Sequence, residues 1–130
     1  MSGPRRAAGW PIAAVLAGLC LAAAACSELN FEPVDARPLE PPPAYRVWWA
    51  EVELCTGTEG SFDRVFWYEA TEIIDRERGT LHSGAWKPPH SIFIRSGSLS
   101  NRRVVKHEMV HDLLQIRSHD LEVFERCAGL

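Results

Sequence analysis

The stretch NRRVVKHEMVHDLLQIR, residues 101–117, carries the strongest helix signal in the chain. It contains no Gly or Pro, and its apolar residues occupy most of the circumference of a helix. A helix that is apolar on several sides passes through a protein core. The sequence therefore predicts a central helix, preceded by a Ser/Gly loop over residues 96–100 that contains helix-capping residues.

The centre of this helix reads His107-Glu108-Met109-Val110-His111, the pattern H-E-x-x-H. Residues four apart lie on the same face of a helix, so His107 and His111 can bind one Zn²⁺ ion. Glu108 lies about 100° further round the helix, near the ion without having to be a ligand. We therefore expect a zinc peptidase in which Glu108 is the general base acting on a zinc-bound water.

A catalytic zinc takes three protein ligands and leaves one position for water. His119 lies eight residues after His111, just beyond the expected end of the helix, and a chain reversal there would return its ring to the metal. His119 is the preferred third ligand. Asp120, Glu122 and Glu125 are kept as alternatives. Asp112 either orients a ligand from outside the site or is a solvated or capping residue.

Residues 107–127, HEMVHDLLQIRSHDLEVFERC, resemble the active-site segment of short-spacer zincin metallopeptidases, the SprT-like group. In that group a loop histidine and then a Phe follow the motif, as His119 and Phe124 do here. The resemblance implies a minimal zincin-like domain that cleaves peptide bonds. It also implies that residues 92–95 form a sheet edge to which the substrate adds as a strand.

The segments around this helix predict an α+β fold over residues 45–130. Residues 45–55 favour a helix, with a strand as the alternative. Residues 64–74 are rich in β-branched and aromatic side chains and predict a strand. Two shorter strands over 80–86 and 91–95 and a final short helix complete a small mixed or antiparallel sheet packed on the motif helix and its flanking helices.

The N-terminal region has the order of a secretory signal peptide over residues 1–25: a basic start, a short apolar run and small residues. Cys26 follows directly and is the expected lipidation site. Residues 26–44, rich in proline, are expected to form an extended tether. These features predict an exported lipoprotein of the bacterial cell envelope, at the periplasm or cell surface, anchored to a membrane by its N-terminal lipid.

Two cysteines remain for the folded part. In an oxidising compartment Cys55 and Cys127 are expected to form a disulfide. The closed loop is long, which gives the bond a large stabilising effect on a small domain.

The chain has 130 residues and a formal net charge of −3, with no basic block, so nucleic acid is not an expected partner. We expect a monomer that acts on a protein or peptide substrate. The alternative is a non-catalytic zinc-binding lipoprotein that serves as an envelope binding module.

Overall fold

The computed structural model of the protein describes Gly3, residues 30–119 and residues 122–129. Within these ranges the chain forms seven strands and three α-helices. The elements are β1 (Phe31–Val34), β2 (Arg37–Pro38), α1 (Pro43–Thr56), β3 (Phe66–Ala70), β4 (Glu72–Asp75), β5 (Thr80–Leu81), β6 (Gly84–Lys87), β7 (Ser91–Arg95), α2 (Arg102–Leu114) and α3 (Val123–Ala128). The predicted α+β class is confirmed.

The predicted signal peptide over residues 1–25, apart from Gly3, and the predicted lipidation site Cys26 lie outside the described residues. No helix of the described part is long and apolar enough to cross a membrane. The tether predicted over residues 26–44 is wrong from residue 31 onwards, because β1 and β2 pair with other strands and α1 begins at Pro43. Pro33 and Pro38 lie in the edge strands β1 and β2, and Pro43 lies in the first turn of α1, positions where a missing N–H costs little.

The strands form two sheets. One is antiparallel, in the order β1-β4-β5, and the other is mixed, in the order β2-β3-β7-β6. In the mixed sheet β3 and β7 run parallel, whereas β6 runs antiparallel to β7. The edge predicted at residues 92–95 is therefore wrong, because β7 lies between β3 and β6, and the edge strands of this sheet are β2 and β6.

The single strand predicted over residues 64–74 is divided into β3 and β4, which belong to different sheets. The division falls at Thr71, whose backbone N–H donates to the carbonyl of Val34. The run predicted over residues 80–86 is likewise divided, into β5 and β6. Both errors have the same origin, because strand propensity reports extended backbone and not which neighbour the backbone pairs with.

Helix α2 lies in the middle of the core, as its apolar pattern predicts. It packs against α1, α3, β6 and β7, and most of its side chains are buried. Its N-cap is Asn101, whose side chain accepts a hydrogen bond from the Val104 N–H at 3.3 Å. The predicted helix between residues 45 and 55 is present as α1.

The motif helix ends at Leu114, three residues earlier than the sequence predicts. Gln115 adopts a left-handed conformation (φ 54°), which reverses the chain at the C-terminus of α2. Its side chain donates to the carbonyls of Pro89 and Asp112. The reversal directs the following residues back along the helix, towards its histidines.

The predicted disulfide between Cys55 and Cys127 is present, and it joins the end of α1 to α3. Cys127 is buried in the main hydrophobic cluster between the helices and the mixed sheet. The disulfide therefore fixes α3 beside the motif helix.

Candidate metal site

Three histidines, His107, His111 and His119, come together beside the C-terminal half of α2. One ring nitrogen from each lies within 4.8 Å of the others. Nitrogens bound to one tetrahedral zinc lie about 3.4 Å apart, since Zn–N bonds are about 2.0–2.1 Å long. Small side-chain rotations would therefore bring all three to a common ion, and the donor set suits zinc.

Local structure explains how each ring reaches this position. His107 and His111 are one helical turn apart, and their ring centroids are 5.0 Å apart. His119 arrives from the loop that follows the left-handed Gln115, and its Nε2 lies 2.8 Å from Nε2 of His111. The chain reversal thus places His119 as the sequence analysis expected.

A backbone carbonyl fixes the tautomer of His111. Its Nδ1 donates to the carbonyl of Ile116 at 2.6 Å, and because a carbonyl only accepts, this nitrogen carries the proton. The neutral ring then presents the Nε2 lone pair towards His119. Metal-binding histidines are commonly oriented by such a bond from the other ring nitrogen.

Burial favours the uncharged form of two of the rings. Burial, with a smaller effect of the neighbouring histidines, lowers the pKa of His107 and of His111 to about 4, and the hydrogen bond to Ile116 opposes this shift at His111. Since a metal binds neutral imidazole, both rings are in their binding form at neutral pH. The neutral form of these rings therefore fits a bound zinc ion, as do the spacing and the type of the three nitrogens.

Glu108 lies beside the histidines and is only 6% exposed. Burial raises its pKa to about 8. Gly84 of β6 leaves room for it, because a Cβ at Gly84 would come within 2.9 Å of Oε1 of Glu108. A carboxyl group with a pKa near neutrality can take up a proton and release it again.

The histidines and Glu108 line one cavity of about 220 Å³. Its other walls come from β1, β4 and β6, from residues next to these strands and from the loop after α2, at Asn30, Phe31, Asp75, His82, Gly84, Ala85, Trp86 and Arg117. The site thus combines a cluster of metal-binding nitrogens, a buried carboxyl group and a space for a ligand.

The alternative third ligands do not join the cluster within the described residues. Glu122 and Glu125 are exposed and do not belong to the three-histidine group. Asp120 lies outside the described residues. His82 also lines the cavity, but its Nε2 lies 3.2 Å from Asp75.

Asp112 is not solvated, and among the described residues its carboxylate forms no hydrogen bond with the three clustered histidines. It is fully buried and contacts Trp86, His90 and Arg64. The solvated or capping role is therefore wrong, whereas the role of orienting a ligand from outside the site stays a prediction.

The sequence analysis missed two residues of the site, Gly84 and Trp86. The indole of Trp86 is stacked on the His111 ring, with centroids 5.8 Å apart and planes 5° from parallel. Both residues come from a strand more than twenty positions before the motif. No local pattern links that strand to α2, so no sequence signal was available.

Comparison with protein-family models, curated proteins and solved structures finds no match to this chain.

Proposed function

We propose that the protein is a zinc-dependent peptidase of the cell envelope, with His107, His111 and His119 as metal ligands and Glu108 as general base. The observation that carries the proposal is the placing of three imidazole nitrogens and a buried carboxyl group in one cavity. No fourth His, Cys, Asp or Glu joins the group in the part of the chain that the structure describes. An open coordination position is typical of catalytic rather than structural zinc.

A bound zinc ion would supply Lewis acidity, which polarises a carbonyl and lowers the pKa of water. Ile116 holds the Nδ1 proton of His111 so that Nε2 faces the cluster. Glu108 takes a proton from the attacking water and passes it to the leaving amine. A nearby cation would favour the carboxylate form of Glu108, which that first step requires.

We propose that the peptide substrate binds along the open edge of strand β6. Ser83 accepts a hydrogen bond from the Arg95 N–H at 3.0 Å, so in this antiparallel pair residues 83, 85 and 87 bond towards β7. Gly84 and Trp86 then present their backbone N–H and C=O groups to the opposite, open edge. Both residues line the cavity, so a peptide added along this edge would pass beside Glu108.

Glu108→Gln tests the chemistry. The substitution keeps the size of the side chain but removes its basicity, so we expect full zinc binding and a loss of peptide hydrolysis of about 100-fold or more. Zinc content is measured by elemental analysis and hydrolysis with a mixed peptide library. Glu125→Gln, on the exposed surface of α3, is the matched control and should keep full activity.

His119→Ala tests the third ligand. We expect a large loss of zinc affinity, measured by competition with a chromophoric chelator. His82→Ala is the control, since His82 lines the same cavity but lies against Asp75. Equal affinities of the two variants would remove His119 from the site. Stoichiometric zinc in a wild-type protein that cleaves no peptide would favour the binding-module alternative.

A further inference from the structure

The indole of Trp86 connects a buried carboxylate to one of the proposed zinc ligands. Its Nε1 donates to Oδ1 of Asp112 at 3.1 Å. Its ring is stacked with an offset on that of His111, with planes 5° from parallel and centroids 5.8 Å apart. Trp86 is only 6% exposed, so water offers its N–H little alternative to Asp112.

Asp112 is itself held in place. Its carboxylate is 0% exposed and accepts from Nδ1 of His90 at 3.1 and 3.3 Å. The guanidinium of Arg64 lies 3.6 Å from Oδ2 of Asp112. A buried carboxylate contacted by several donors has little freedom to turn, and charge-assisted hydrogen bonds are the stronger kind.

His111 needs a contact of this type. The hydrogen bond from its Nδ1 to Ile116 fixes one edge of the ring but leaves rotation about that bond possible. A flat indole against one face opposes this rotation. Phe124, whose centroid lies 4.6 Å from that of His111, adds a second aromatic contact.

We propose that Trp86 and Asp112 are positioning residues of the metal site: Asp112 fixes the indole, and the indole fixes the plane of His111. The inference rests on the proposed function. It assigns to Asp112, which directly follows the second motif histidine, a role that acts through a residue on another element.

Trp86→Phe removes the hydrogen bond to Asp112 and part of the stacked surface. We expect zinc affinity to fall about 10–100-fold, the range usual for losing an outer partner of a metal ligand. Trp67→Phe is the matched control. Trp67 is equally buried, and its Nε1 has no hydrogen-bond partner among the described residues, so this variant loses a similar volume of core and no hydrogen bond. It should retain wild-type zinc affinity.

A second readout separates positioning from general loosening. The visible absorption of bound Co²⁺ reports the geometry of its ligands, and we expect the Trp86→Phe spectrum to change while that of Trp67→Phe does not. Asp112→Asn retains an oxygen acceptor for the indole and should bind zinc more tightly than Asp112→Ala. If Trp86→Phe does not fold, the zinc affinities of Asp112→Asn and Asp112→Ala test the positioning role instead.

The outcomes are distinguishable. A folded wild-type protein that binds no zinc would overturn the proposed function itself. A wild-type protein that binds one zinc ion, together with a Trp86→Phe variant that matches Trp67→Phe in affinity and Co²⁺ spectrum, would overturn only the positioning role. Equal affinities of the two Asp112 variants would do the same.

Discussion

Gly84 lies where a side chain would meet the proposed general base. A Cβ there would be 2.9 Å from Oε1 of Glu108 and 3.0 Å from Cγ1 of Val104. The end of the Glu108 side chain can move, so Gly84→Ala should shift the carboxyl group more than it disturbs the fold. We expect peptide hydrolysis to fall about 100-fold, because a displacement of about 1 Å is enough for such a loss.

Gly97→Ala is the matched control for this prediction, since nothing lies within 4 Å of its Cβ position. Activity and thermal melting of both variants are compared with the wild-type protein. Gly97→Ala should retain activity, and Gly84→Ala should lose activity with a small change in melting temperature. A fully active Gly84→Ala protein would show that the position of Glu108 is not critical.

At the scale of residues, the sequence predicted those residues of the candidate site that helical periodicity or a short chain reversal brings together. His107, Glu108 and His111 follow from spacing alone, and His119 follows from a loop directly after the helix. Gly84, Trp86 and the anchors of Asp112 could not be predicted. They depend on β6 and on the residues around His90 packing against α2, and those contacts join distant parts of the chain.

Helix α1 is linked to the loop before α2 by one buried phenol. Tyr45 is 0% exposed, and its hydroxyl donates to the carbonyl of Leu99 at 2.7 Å. Burial, with a smaller effect of Glu69, raises the pKa of Tyr45 from 10.0 to about 12. The protonated phenol is favoured in the folded state, so its contribution to stability is fully present below pH 10 and is lost between about pH 10 and 12.

The expected loss across that window is about 3 kcal/mol of unfolding free energy, since each pKa unit corresponds to about 1.4 kcal/mol. It is measured by urea unfolding at several pH values. Tyr45→Phe should be less stable at pH 8 by about 1–3 kcal/mol, because the Leu99 carbonyl loses its donor, and should lack this part of the pH dependence. Tyr68→Phe, the control, should retain it. An unchanged slope in Tyr45→Phe would refute the assignment.

At the scale of elements, helices were predicted better than strand partners. The bounds of α1 agree within two residues at its start, because helix periodicity is a local property. Pro-rich residues 31–38 gave no strand signal, yet they pair with β4 and β3. Hydrogen bonds to β4 and β3 stabilise the extended backbone that the composition of these residues does not favour. The sequence does not show which strands will lie beside this segment.

At the scale of the whole molecule, the described fold is small and its apolar core is divided. The main cluster lies between the helices and the mixed sheet, and a smaller one, centred on Ile73 and Phe93, lies on the side of the antiparallel sheet. A domain of this size buries a limited fraction of its surface. A covalent link between distant parts of the chain therefore contributes a large share of its stability.

The disulfide supplies that link, and its loss should affect both the fold and the metal site. The bond joins residues 72 positions apart, so loop-closure entropy predicts that Cys55→Ala/Cys127→Ala lowers the free energy of unfolding by about 4 kcal/mol. The bond also holds α3, whose Phe124 contacts the rings of all three histidines at centroid distances of 4.6–5.3 Å. Zinc affinity should therefore fall with stability.

The free energy of unfolding is measured by urea unfolding of the zinc-free proteins, and zinc affinity is measured by competition with a chelator. Wild-type protein treated with a phosphine reductant is the control, because it loses the bond without losing the side chains. Saturating zinc should restore part of the stability, since the ion binds the folded state. If the double variant unfolds more easily but binds zinc as tightly as the oxidised wild type, the disulfide stabilises the fold without affecting the metal site, and the position of α3 does not determine zinc affinity.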